Sequence, residues 1–165
     1  MKSLNKNIAL IGLSGCGKTT IGEIVAERLF LPFYDVDDYV EKKENKLIKN
    51  IFLLGEDYFR KLETEAIEEI SKKCPIVIST GGGVVKAQCN METLQKNSII
   101  FFINRPIENI IKDIDISNRP LLADDISKIY KLYEERYYLY KKYSNFEVLN
   151  DNKLEDVVNK IIKLI

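Results

Sequence analysis

The chain predicts an α/β fold in which a parallel sheet is covered by helices on both faces. Short apolar, β-rich runs alternate with helical patterns along its length, and such alternation is the mark of a parallel sheet with crossover helices. One loop, Gly12-Leu13-Ser14-Gly15-Cys16-Gly17-Lys18-Thr19, fits the phosphate-binding pattern G-x-x-x-x-G-K-[ST] in full. At 165 residues, 45% of them hydrophobic and 30% charged, the chain has the size to bury a core by itself. The expectation is a single domain spanning 1–165.

Each element has its own signal. Residues 8–13 read as a short buried strand, followed by the glycine loop and then a helix over 20–30 with Ile21, Ile24, Val25 and Leu29 on one face. A second strand over 32–36 leads into Asp35-Val36-Asp37-Asp38, where the carboxylates favour the start of a helix over 37–43. Phe59, Leu62, Ala66, Ile67 and Ile70 recur at helical spacing. The third strand, 76–79, runs into Ser79-Thr80-Gly81-Gly82-Gly83, and the fourth covers 99–103. Residues 112–125 lack periodicity and hold Arg119-Pro120, so they read as a mobile lid. A tyrosine-rich helix follows over 127–143, then a strand over 146–149. A last helix carries Leu154, Val157, Val158, Ile161, Ile162 and Ile165.

Composition narrows the chemistry. Lys+Arg and Asp+Glu both number 25, and this zero net charge argues against nucleic-acid or membrane-surface partners. Histidine is absent, which excludes Ser-His-Asp and Cys-His hydrolysis and any histidine-ligated metal. What remains is carboxylates, lysine, arginine, backbone N–H groups and a metal ion, the inventory of phosphoryl transfer. Cys16, Cys74 and Cys89 show no metal spacing and suggest reduced thiols in the cytoplasm. The apolar stretch after Lys6 is too short for a membrane span. A monomer is the default expectation.

The motifs sit at the carboxyl ends of the candidate strands, where ligands collect in open α/β sheets. Glycines let the N–H groups of the loop turn towards phosphates at a helix N-terminus. Lys18 would reach the β- and γ-phosphates and the Thr19 hydroxyl a Mg²⁺ ion. Asp35 and Asp37, two apart in extended chain, should point to opposite sides and serve different partners, one the metal's water shell and one an attacking hydroxyl. Arg60 and Glu63 share a helix face, so Glu63 can hold the Arg60 fork for a substrate carboxylate. Gly81-Gly82-Gly83 allows close approach of backbone to a ligand.

Taken in order, these features resemble the shikimate kinase family. The resemblance rests on the loop 12–19, Asp35-x-Asp37, Phe59-Arg60-x-x-Glu63, Gly81-Gly82-Gly83, Asn118-Arg119-Pro120-Leu121-Leu122 and Arg136 followed by Tyr140. It implies a three-layer P-loop fold with a five-stranded parallel sheet in order 2-3-1-4-5, flanked by helices. It implies transfer of the γ-phosphate of ATP, with Mg²⁺, to the 3-hydroxyl of shikimate, on the route to chorismate and the aromatic amino acids. Gly12, Gly15, Cys16, Gly17, Lys18, Thr19, Thr20 and Arg119 would hold ATP. Lys18 and Arg119 would neutralise the transferred phosphoryl, and Thr19 and Asp35 would serve the metal. Asp37 would orient the attacking hydroxyl, with Arg60, Gly82 and Arg136 holding shikimate. Lys112 and Lys153 stand where many members carry arginines near the nucleotide. Ser79-Thr80 replace the acidic residue usual at the end of the third strand in P-loop ATPases, as in the family. Gluconate also suits two arginines and an acidic pair, so gluconate kinase is the alternative. A GTPase-like switch lacks its N-K-x-D and D-x-x-G motifs here.

Overall fold

The computed structural model describes residues 4–113, 123–151 and 153–165, with main chain alone at 123–125. Five parallel strands form one sheet: β1 (Asn7–Ile11), β2 (Phe33–Asp35), β3 (Val77–Ser79), β4 (Ser98–Asn104) and β5 (Phe146–Leu149). Their spatial order is β2-β3-β1-β4-β5. β1 lies at the centre, with Ala9 opposite Ile78 on one side and opposite Ile100 on the other.

The helices are α1 (Lys18–Leu29), α2 (Val36–Glu44), α3 (Ile48–Phe52), α4 (Glu56–Ser71), α5 (Gln88–Asn97), α6 (Ile107–Asp113), α7 (Ala123–Tyr143) and α8 (Leu154–Lys163). Because successive strand residues face opposite ways, β1 feeds two cores at once. Ala9 and Ile11 pack with Ile78, Phe102, Leu62 and Ile67 on the α4–α5 side. Ile8 and Leu10 pack with Val77, Phe101, Val25 and Val158 on the α1–α8 side. Continuous apolar strands thus report a sheet buried on both faces. Each fully buried Val, Leu, Ile or Phe side chain among them stabilises the fold by about 1.5–3 kcal/mol.

Several boundaries differ from the sequence reading. β1 ends at Ile11 because Gly12 leaves the strand with φ at 147°. β2 ends at Asp35, and α2 already begins at Val36. The cap is Asp35, whose Oδ1 accepts the main-chain N–H of Asp37 at 3.0 Å and of Asp38 at 3.3 Å. Lys112 and Asp113, read as part of the lid, lie in the last turn of α6, and α7 starts at Ala123. Residues 114–122 of that segment, with Arg119, lie outside the described residues. Among the described residues no helix is long and apolar enough to cross a membrane.

Parallel strands put all five carboxyl ends on one rim, so the turns after β1, β2 and β3 meet there. Gly12 makes the first possible: a Cβ on it would stand 2.5 Å from the Ile103 carbonyl oxygen, in a backbone conformation that L side chains rarely adopt. Gly12→Ala should therefore lower the unfolding free energy by roughly 1–3 kcal/mol, read from urea unfolding. An unchanged midpoint would show that the loop adapts freely.

Candidate active site

The glycine loop wraps the N-terminus of α1. The Lys18 ammonium is buried within it and donates to the carbonyls of Gly12 and Leu13 at 2.9 Å each. Two side chains from outside the loop bond its backbone. Asn150 Nδ2 donates to the Cys16 carbonyl at 2.9 Å, and Arg105 Nη1 donates to the Gly15 carbonyl at 3.2 Å. Neither stood out in the sequence, because no local pattern marks a side chain that braces a distant backbone.

Beside the loop, the Thr19 hydroxyl donates to Asp35 Oδ2 at 2.8 Å and lies 3.4 Å from Ser79 Oγ. The hydroxyl and carboxylate are hard oxygen donors, which Mg²⁺ prefers. Among the described residues no cluster of three or more acidic or cysteine side chains forms a metal cage. Mg²⁺ commonly keeps several waters and is held by one or two protein oxygens plus substrate phosphates. The donor set fits Mg²⁺.

Asp35 and Asp37 do part ways, but extended chain cannot be the reason, because residues two apart in a strand share a face, as Ala9 and Ile11 do in β1. Asp35 closes β2, whereas Asp37 is already in the first turn of α2. The turn from strand to helix sends one carboxylate to Thr19 and the other towards Gly81, where a Cβ would lie 3.1 Å from Asp37 Oδ1. Burial, then the charges of Asp35 and Glu63, push the Asp37 carboxyl from its ordinary 3.8 up to about 6, against the pull of Lys18 and Arg60.

Glu63 is fully buried on α4, and its Oε2 accepts Arg60 Nη1 at 2.8 Å. Burial raises its carboxyl despite the opposing pull of Arg60 and Arg136. Arg60 also donates to Glu56, so two carboxylates fix its fork. Asp37 Oδ1 and Glu63 Oε1 are buried and have no hydrogen-bond partner among the described residues. Unpaired buried acceptors are costly, and both oxygens border the same space, each 3.1 Å from where a Cβ on Gly81 would stand.

The glycine run lies between these groups. A Cβ at Gly82 would sit 2.7 Å from Ser14 Oγ, and one at Gly83 would collide with the Arg60 guanidinium. Tyr140, buried on α7, donates its hydroxyl to the Gly82 carbonyl at 2.5 Å and stacks on Phe102 with centroids 5.1 Å apart. One turn earlier, Arg136 reaches the acceptor side.

Two cavities result. One, about 460 Å³, is lined by Gly15, Gly17, Lys18, Thr19, Thr20 and Asp35. The other, about 400 Å³, is lined by Phe59, Arg60, Glu63, Gly83 and Arg136. They share Ser14, Asp37, Gly81 and Gly82. A larger hollow of about 710 Å³ at the β2 edge, with Tyr34, Tyr39 and Lys43, shares only Asp35 with the phosphate side. There Tyr39 and Lys43 are already paired with Glu69. Lys112 and Lys153 are exposed and line none of these cavities.

Strand order, glycine loop and paired cavities define a P-loop phosphotransferase. A family model described as shikimate kinase matches residues 14–165. The chain is 49% identical to a shikimate kinase of Clostridium botulinum (strain Eklund 17B / Type B), over 98% of both chains. It superposes on a shikimate kinase from Acinetobacter baumannii in complex with shikimate with a TM-score of 0.89 and 32% identity, covering 96% of this chain and 92% of that one. A gluconokinase from Sinorhizobium meliloti 1021 reaches a TM-score of 0.64 at 15% identity, covering 96% and 90%, and shares the fold alone. The chain belongs to the shikimate kinase family.

A buried carboxyl raised to about 6 costs stability wherever it is ionised. The folded state then holds its proton more tightly than the unfolded one, so the penalty is absent below about pH 4 and complete above pH 6. Asp37→Asn should raise the thermal midpoint at pH 7.5, by up to about 3 kcal/mol of unfolding free energy, and lose that advantage near pH 4. Equal midpoints at pH 7.5 would show that Asp37 carries no such penalty.

Proposed function

We propose that this chain transfers the γ-phosphoryl group of ATP to the 3-hydroxyl of shikimate, giving shikimate 3-phosphate and ADP, in the route to chorismate. Family membership supports it, and one observation carries it on the physical side: Asp37 stands where a phosphate-loop cavity opens into a second cavity with two arginines. A ligand for that second cavity must bring a carboxylate to Arg60 and Arg136 and hydroxyl donors to the unpaired oxygens of Asp37 and Glu63. A compact polyhydroxy carboxylate meets both demands.

In this reading Gly12, Gly15, Cys16, Gly17 and Thr20 hold the phosphates through the loop's backbone and the start of α1. Lys18 exchanges the carbonyls of Gly12 and Leu13 for phosphate oxygens and neutralises charge on the transferred group. Thr19 and Asp35 hold Mg²⁺, which when bound neutralises charge on the phosphate oxygens. Asp37 accepts a hydrogen bond from the attacking hydroxyl, aligns it and takes its proton. Glu63 keeps the Arg60 fork open towards the substrate carboxylate, and Tyr140 fixes the Gly82 peptide against which the ring lies. Arg119 belongs to the transferring group on the strength of the family motif; it lies outside the described residues. A cytoplasmic monomer completes the proposal.

Coupled ADP release measured with shikimate, gluconate and nucleoside monophosphates in parallel tests the assignment. Turnover with shikimate alone is expected, and turnover with gluconate but not shikimate would overturn it. Lys18→Ala should keep less than about a tenth of the rate, because several kcal/mol of transition-state stabilisation are lost. The proton-accepting form of Asp37 is the carboxylate, so kcat/KM for shikimate should fall as pH drops through about 6. Asp37→Asn should bind ATP within a few-fold of the original, lose roughly 10²–10⁴ in turnover and abolish that acid limb. Near-normal turnover in this variant would mean the acceptor site lies elsewhere.

A further inference from the structure

We propose that Arg105 is a nucleotide-binding residue whose guanidinium contacts the α-phosphate of ATP. The inference rests on the reading of ATP as phosphoryl donor and deepens it on the side away from the acceptor. No motif singles Arg105 out: it follows β4 directly, just before Pro106 and α6.

The argument starts from a third cavity of about 280 Å³, lined by Asn109, Asn150, Asp151 and Leu154 together with Gly17, Thr20 and Arg105. Those last three also line the phosphate cavity, so they form the passage between the two. The polarity of a bound triphosphate is set at the other end, because its γ-phosphorus must lie beside Asp37, where the acceptor cavity begins. The chain of phosphates then runs over the loop towards the passage. The nucleoside takes the remaining space, whose asparagine edges and Leu154 wall suit a flat polar heterocycle. The group that occupies the passage is the α-phosphate, and the side chain there is Arg105.

Its guanidinium is held ready. Nη1 donates to the Gly15 carbonyl at 3.2 Å, and Nη2 pairs with Asp113 Oδ2 at 2.6 Å. The side chain is 23% exposed. A guanidinium carries five N–H donors in a rigid plane and stays charged at any working pH, so these two bonds fix its place and leave donors for a phosphate oxygen. Gly15 belongs to the phosphate loop, which ties the position of the charge to that of the loop itself. The rival account is a purely structural brace between the loop and the corner of β4 and α6. A brace would change stability and leave nucleotide affinity alone.

Calorimetric titration of the full chain with ADP and with inorganic tripolyphosphate, each with Mg²⁺ and without shikimate, separates the two. Arg105→Ala should weaken ADP and tripolyphosphate by a similar factor, about 10- to 100-fold, with Arg105→Lys intermediate because charge is kept and the fork is lost. Since the α-phosphate does not react, the contact is equal in ground and transition states. The KM for ATP should rise by a like factor while kcat at saturation stays within about three-fold. Unchanged ADP affinity overturns the proposal, as does a loss confined to ADP, which would place the contact on the nucleoside. If Arg105→Ala fails to fold, Arg105→Lys and Arg105→Gln carry the same comparison. Altered ADP binding in a protein that does not phosphorylate shikimate would sink the proposed function and leave Arg105 standing. Unaltered variants of an active shikimate kinase would sink only Arg105.

Discussion

The whole site depends on the absence of side chains at residues 81–83. Each glycine leaves space for a different neighbour: Gly81 for the carboxylates of Asp37 and Glu63, Gly82 for Ser14 of the phosphate loop, Gly83 for the Arg60 guanidinium. A methyl group at the middle position would sit 2.9 Å from the Ser14 main-chain nitrogen, inside ordinary contact. Only a bare backbone lets the turn after β3 touch the turn after β1. That contact is what makes two cavities adjoin with Asp37 between them. Tyr140 holds the same bare backbone from the opposite side, so its position is set by the core even though it lines a cavity.

The electrostatics are costly by the standards of a stable core. Two carboxylates, Asp37 and Glu63, are raised by burial, and each keeps an oxygen without a partner among the described residues. Arg60 compensates Glu63 directly, whereas among the described residues no cation is bonded to Asp37. This asymmetry separates their roles. A paired carboxylate orients an arginine, while an unpaired one close to neutrality is able to take a proton. The stability given up there is the kind that a ligand's own hydroxyls restore on binding.

The rim also explains why a short motif suffices for one ligand and not for another. Phosphate recognition is local, because one loop supplies backbone donors, lysine and hydroxyl within residues 12–19. The second cavity is lined from α2, α3, α4, α7 and the turns after β1 and β3. Its parts converge because parallel strands deliver all their carboxyl ends to one edge.

Read alone, the sequence determined the α/β class, the phosphate loop with its flanking strand and helix, and through family resemblance the strand order. These signals are local or periodic: residue types at fixed offsets, and apolar runs that record burial on both sheet faces. A cap or a positive φ shifts strand ends by a residue or two from the apolar pattern, as at Asp35 and Gly12. Helices α3, α5 and α6, with Lys112 in the last turn of α6, carry no clear apolar period in the sequence. Periodicity could not say which way Asp37 faces, since the chain changes from strand to helix between the two aspartates. Nor could it reveal that Glu63 is fully buried, that Tyr140 reaches Gly82, or that Arg105 and Asn150 brace the loop from residues 90 and 134 positions away. Those facts belong to contacts between distant segments, and only the packing of helices onto the five-stranded sheet brings such segments within hydrogen-bond reach.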